Sequence, residues 1–212
     1  MKIELNKYRN QICAVIAIVL AVIVTGCVVR KLELDQKVRA TQEHLASEVL
    51  RFHVLANSDS DEDQTLKLKV KSGIIEYMQE QIPESDSLEE TKEWARTNQE
   101  EITKTAENII REEGYNYPVS VAVANSYFPD KTYGDVTFPA GQYEALKVEI
   151  GDADGKNWWC VLYPNLCFVD ATHAVVPEEG KEELQEVLEE DEYEMVTATS
   201  DFKIKWYFFG DE

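Results

Sequence analysis

Carboxylates on alternate residues are the first chemistry this sequence offers. In ANSDSDEDQ (56–64), Asp59, Asp61 and Asp63 alternate, with Glu62 among them. Oxygen ligands at a first, third and fifth position open a calcium-binding loop. With Asp59 as position one, however, the sixth position, where glycine permits a sharp turn, is Gln64. The twelfth, where a bidentate glutamate closes the cage, is Val70. The stretch therefore fits a helix start better than a metal loop. Ser58 or Ser60 accepts from free backbone amides, and Asp61, Glu62 and Asp63 stand at the positive end of the helix dipole. No metal and no cofactor are expected.

Other chemistry is sparse. The three histidines are His44, His53 and His173, and HExxH, GxSxG, a phosphate loop and a dinucleotide glycine pattern are all missing from the sequence. No catalytic residue is assigned, and the protein is read as a non-enzyme. An exported cell-wall hydrolase using His53 or His173 with nearby acids is the alternative from another class. A pairing of Cys160 or Cys167 with His173 also stays open. In WWCVLYPNLCFVD six residues separate Cys160 from Cys167, and Pro164 and Asn165 supply a turn between them. A hairpin there brings the sulfurs together, so a disulfide is expected if the domain is exported; two buried free thiols are the alternative.

Export is what the N-terminus points to. Ile12 to Val29 is an 18-residue run without a charge, with Lys7 and Arg9 before it and Arg30 and Lys31 after. At about 1.5 Å per residue it just spans a bilayer core, and it also has the form of an export signal. Within it VTGC (24–27) resembles a bacterial lipobox, which makes Cys27 a lipidation candidate and a lipid-anchored binding lipoprotein a further alternative. The formal charge is −20; Lys2, Lys7, Arg9 and Arg30 oppose only Glu4 in the first 30 residues, so residues 31–212 carry −23. Such a polyanion excludes nucleic acid as a partner and keeps the domain soluble.

The elements that position these residues follow from periodicity. Residues 1–31 are the export signal or anchor and 32–47 a helical or flexible stalk, leaving 48–212 as one domain. EVLRFHVLA (48–56) places Leu50, Phe52 and Val54 on one face and Arg51 and His53 on the other, as in a half-buried strand. Leu66, Val70, Ile74, Tyr77 and Met78 recur at helical spacing until Pro83. A second helix runs from about Ser87 to Glu113, on Leu88, Ala95, Ile102 and Ile109, and Gly114 caps it. PVSVAVAN (118–125), EALKVEIG (144–151) and NWWCVLYP (157–164) read as strands of a meander turning at GDADGK. PEEGKEELQEVLEEDEYE (177–194) reads as an acidic surface helix on Leu184, Val187 and Leu188, and FKIKWYFF (202–209) as a last strand. The fold class is α+β, a single extracytoplasmic domain with a mainly antiparallel sheet and two to three packed helices, preceded by the N-terminal hydrophobic helix.

Two blocks carry a resemblance. LRFHVLANSDSDEDQTLKLKV (50–70) and FPAGQYEALKVEIGDADGKNWWCVLYPNLCFVD (138–170) resemble the stage II sporulation protein R family, over about Val49 to Asp170. The resemblance implies a signalling protein of endospore-forming bacteria, made in the forespore and exported to the space between the forespore and mother-cell membranes. There the family triggers a membrane-embedded aspartic protease, which cuts the precursor of the early mother-cell sigma factor E. The implied partners are that protease and the membrane, through residues 12–29. No catalytic residues are carried over. Expected receptor contacts are Asn57, Ser58, Asp59, Ser60 and Asp61, with Trp158 and Trp159 as anchors beside the alternative of core packing.

Overall fold

The computed structural model describes residues 2–82, 87–164, 166–167, 176 and 178–197. It divides into two compact units, Met1–Thr41 and Gln42–Glu212. Helix α1 (Lys2–Ser47) makes up the described part of the first unit and gives its last turns to the second. Its apolar window has a mean hydropathy of 3.1 with none of it buried, so by length and composition it could cross a membrane.

The second unit is built on β1 (Leu50–Leu55). Ser60 then caps α2 (Asp61–Gln81), its side chain accepting from the Asp63 amide at 3.2 Å, with Asp61, Glu62 and Asp63 in the first turn. This is the helix start expected from the acidic stretch. Leu66, Val70, Ile74 and Met78 are its buried stripe; Pro83 lies outside the described residues. The helix expected over 87–113 is two helices, α3 (Leu88–Thr97) and α4 (Gln99–Glu112). Asn98 breaks them apart. Its amide N–H and its Nδ2 both donate to the Trp94 carbonyl, at 3.0 and 2.8 Å, closing α3 with a side chain that competes for the backbone. Beyond the break the buried stripe is Ile102, Ala106 and Ile110. Gly114, at φ +86, follows α4, and the Tyr115 amide returns to the Ile110 carbonyl.

Strand β2 (Val119–Phe128) leads to a small hairpin, β3 (Lys131–Tyr133) and β4 (Val136–Phe138), and then to β5 (Gly141–Ile150) and β6 (Asn157–Tyr163). The four longer strands form a mixed sheet in the order β2-β5-β1-β6. The expected meander is therefore corrected. β5 and β6 do not pair, because β1 lies between them, parallel to β5 (Phe52 opposite Leu146) and antiparallel to β6 (Phe52 opposite Cys160). Helices α5 (Glu178–Val187) and α6 (Glu190–Thr197) replace the single acidic helix. Glu192 accepts from the Glu189 amide at 3.0 Å, a helix-start contact that restarts the chain after α5. The expected last strand at 202–209 lies outside the described residues.

Both sides of the sheet are covered. Leu50, Phe52 and Val54 meet Leu146, Val148 and Ile150 and the stripes of α2 to α4 in one core. A second core gathers Phe128, Val136, Phe138, Tyr143, Ala145 and Val161 with Leu45, Leu184, Leu188, Met195 and Val196. The reading of β1 as half-buried is thus overturned: Arg51 and His53 are 0 % and 4 % exposed. A central strand with layers on both faces leaves no solvent side, whatever its polar alternation suggests.

Candidate functional site

The acidic loop closes over the turn between β5 and β6. Asn57 does so with both ends of its side chain. Its Nδ2 donates to Asp63 Oδ2 at 2.8 Å, and its Oδ1 accepts from the Asp152 amide at 3.0 Å. Ser58 Oγ donates to the same Asp63 oxygen at 2.6 Å, and Asp59 Oδ1 accepts from the Lys156 amide at 2.7 Å. Backbone bonds from Asp154 to Asn57 and from Gly155 to Ala56 complete the clasp. Lys67 is buried beneath it, with Nζ on Gln64 Oε1 (2.6 Å) and the Lys156 carbonyl (2.8 Å); burial pulls its ammonium below the usual lysine range.

The carboxylates of this loop have separate fates. Asp63 turns inward and is 5 % exposed. Burial works to raise its pKa, but hydrogen bonds from Ser58, Asn57, Tyr117 and Ser60 outweigh it and hold the carboxyl below its ordinary value. Asp59, Ser60, Asp61 and Glu62 remain exposed, next to exposed Asp152 and Asp154. Among the described residues no group of three or more His, Cys, Asp or Glu is placed to hold a metal ion. What the clasp offers is a rigid acidic surface at one end of the sheet.

Two glycines permit this approach. A Cβ on Gly155 would collide with the Ser58 carbonyl, and one on Gly151, which sits at φ +61, with the Asn57 side chain. Only the glycine-bearing turn GDADGK lets the two loops interlock.

The tryptophans do not form a joint anchor. As successive strand residues they point to opposite faces. Trp158 meets Phe52 edge-on at 5.7 Å, with Lys71 Nζ 5.0 Å from its ring centre. Trp159 stacks on His53 at 5.1 Å and 4° and packs against Phe128 at 4.6 Å. Both are half-buried, so each combines core packing with some exposed surface. Cys160 and Cys167 are joined by a disulfide, with Cα atoms 5.5 Å apart.

The remaining histidines and cysteines scatter. His53 is enclosed, and burial pushes its pKa down to about 4, which does not suit an accessible general base near neutrality. His44, at the end of α1, pairs through Nδ1 with Glu192 Oε1 at 2.7 Å, and this hydrogen bond raises its pKa. His173 lies outside the described residues. Cys27 and Cys13 are free and exposed on α1. Sequence reasoning missed the environment of Arg51. Its guanidinium lies wholly buried among Phe128, Tyr133, Phe138 and Tyr143, with Nε on the Cys160 carbonyl and Nη2 on the Tyr133 hydroxyl, both at 3.0 Å. The alternation gave no signal of this burial, since Arg51 and His53 read as the polar face of a half-buried strand.

The family described as stage II sporulation protein R matches residues 46–173. A stage II sporulation protein R from Bacillus subtilis (strain 168) is 36 % identical over 172 residues, covering 79 % of this chain and 77 % of that protein. No solved structure matches.

Proposed function

The chain belongs to the stage II sporulation protein R family, and from that premise we propose that it is an exported signalling ligand acting between the two compartments of a sporulating cell. It activates a membrane-embedded aspartic protease, which then cuts the precursor of the early mother-cell sigma factor E. The observation that carries this reading is the 36 % identity to a named family member across most of both chains. The apolar run of α1 supports export or tethering, through retention of the segment or lipidation at Cys27. Disulfide pairing of Cys160 with Cys167 suits an oxidising space outside the cytoplasm.

Activation follows from differential binding: the domain favours the protease's active arrangement by contacting it more strongly than the resting one. The contact surface is the exposed part of the clasp, Asp59 to Glu62, held rigid by Asn57, Ser58 and Asp63. It fits a basic patch on the receptor. Co-expression with the protease and the sigma precursor in a host lacking all three tests the function. Precursor cleavage that appears only with this chain is expected; cleavage that is indifferent to its presence rules the reading out.

A further inference from the structure

The second face of β1 holds two buried polar atoms that have no hydrogen-bond partner among the described residues, Arg51 Nη1 and His53 Nε2. Phe128 touches both side chains, its ring centre 4.4 Å from Arg51 Cζ and 5.2 Å from the His53 ring. The centres of Tyr143, Phe138 and Tyr133 lie 4.9, 5.0 and 5.8 Å from the same Cζ. Aromatic faces favour a cation but satisfy no N–H. Among the described residues no carboxylate pairs with Arg51, and its guanidinium does not give up its proton to escape the cost of burial. A buried cation with an unused nitrogen is complementary to an anion, and Phe128 lies against both that cation and the His53 ring.

We propose that this aromatic chamber is a carboxylate-binding site, in which Arg51 receives an acidic side chain presented by a partner polypeptide and His53 is the second polar contact. Flat aromatic walls and one guanidinium charge, with both N–H groups of Nη1 unused among the described residues, suit a planar monoanion; a phosphate carries more charge than this single cation offsets. His53 Nδ1 lies 3.1 Å from Asn157 Oδ1. With the proton on Nδ1, Nε2 is an acceptor, and one proton taken from water as the carboxylate enters turns it into a donor toward the anion.

Entry runs through the β3–β4 hairpin. Tyr133 and Phe138 of this hairpin cover Arg51, and among the described residues its two strands pair only with each other. Val136 and Phe138 bury the hairpin in the second core, and two polar contacts add to this: Arg51 Nη2 donates to Tyr133 Oη, and Asp135 binds Lys181 at 2.7 Å and the Val176 amide at 3.0 Å. A carboxylate that binds end-on, across Nη1 and Nη2, competes directly with the Tyr133 contact. The site is separate from the acidic clasp and stands or falls independently of the signalling role.

The test is saturation-transfer NMR on the methyl group of acetate, with the full chain in detergent micelles and acetamide as the uncharged isostere. Acetate is expected to bind saturably, with acetamide at least about 10-fold weaker. In Arg51→Met the transfer disappears while near-ultraviolet circular dichroism is kept. Should that variant fail to fold, Tyr133→Phe decides: loss of the competing hydroxyl tightens acetate about 3- to 10-fold. Absent binding, equal binding of acetamide, retained binding in a folded Arg51→Met, or unchanged affinity in Tyr133→Phe overturns the proposal.

Discussion

Asp63 and Arg51 are both buried ions anchored near β1, and the fold treats them oppositely. Asp63 accepts from Asn57, Ser58 and Tyr117, and its own amide donates to Ser60. Arg51 has rings around it, two hydrogen bonds, and a third nitrogen, Nη1, unused among the described residues. A fully satisfied buried charge fixes local structure, because removing it strands every partner at once. A partly satisfied one contributes little to stability and leaves a polar group open to another partner. The clasp is thus scaffold for the surface it displays, and the chamber is a place where something can be added.

The sharpest way to break this contrast is to delete each ion. Asp63→Ala strands the side-chain donors of the clasp and is expected to cost about 3–4 kcal/mol, read from urea midpoints. The next largest effect is in pH. Burial lowers the folded pKa of His53 from 6.5 to about 4. A depressed histidine contributes stability that is complete above pH 6.5 and is lost as pH falls toward 4, a loss of roughly 3 kcal/mol at most. His53→Gln should flatten the stability profile across that window; an unchanged profile would mean that another group titrates there.

Smaller again is Gly155→Ala. Its Cβ meets backbone at Ser58, so the clasp must open, at about 2 kcal/mol. Smallest is Arg51→Met, expected to change stability by no more than about 1 kcal/mol in either direction, because an apolar side chain of similar volume suits the rings as well as the cation does. Equal, large losses for Asp63→Ala and Arg51→Met would erase the distinction between the two regions.

Much of the clasp was legible in the sequence, and little of the chamber. The serine cap, the stripe from Leu66 to Met78 and the Gly114 stop are local, and local rules find them. The bonds from Asp59 to Lys156 and from Asn57 to Asp152 join residues about a hundred positions apart, and no spacing rule reaches that far. The insertion of β1 between β5 and β6 is likewise a matter of strand order, which periodicity does not encode. Arg51 and His53 looked solvent-facing because polar residues alternating with apolar ones usually are. The three-residue strands β3 and β4 were too short to show a period, yet they supply two of the four rings that enclose Arg51.

The account's central claim is that an intact domain signals through the exposed acids of the clasp. The triple variant Asp59→Asn, Asp61→Asn, Glu62→Gln tests it most directly, since asparagine at 59 keeps an oxygen for the Lys156 amide while the charges disappear. Co-expressed with the protease and the sigma precursor, it is expected to lower precursor cleavage at least about 10-fold with near-ultraviolet circular dichroism unchanged. Wild-type cleavage by the folded triple variant would contradict the claim.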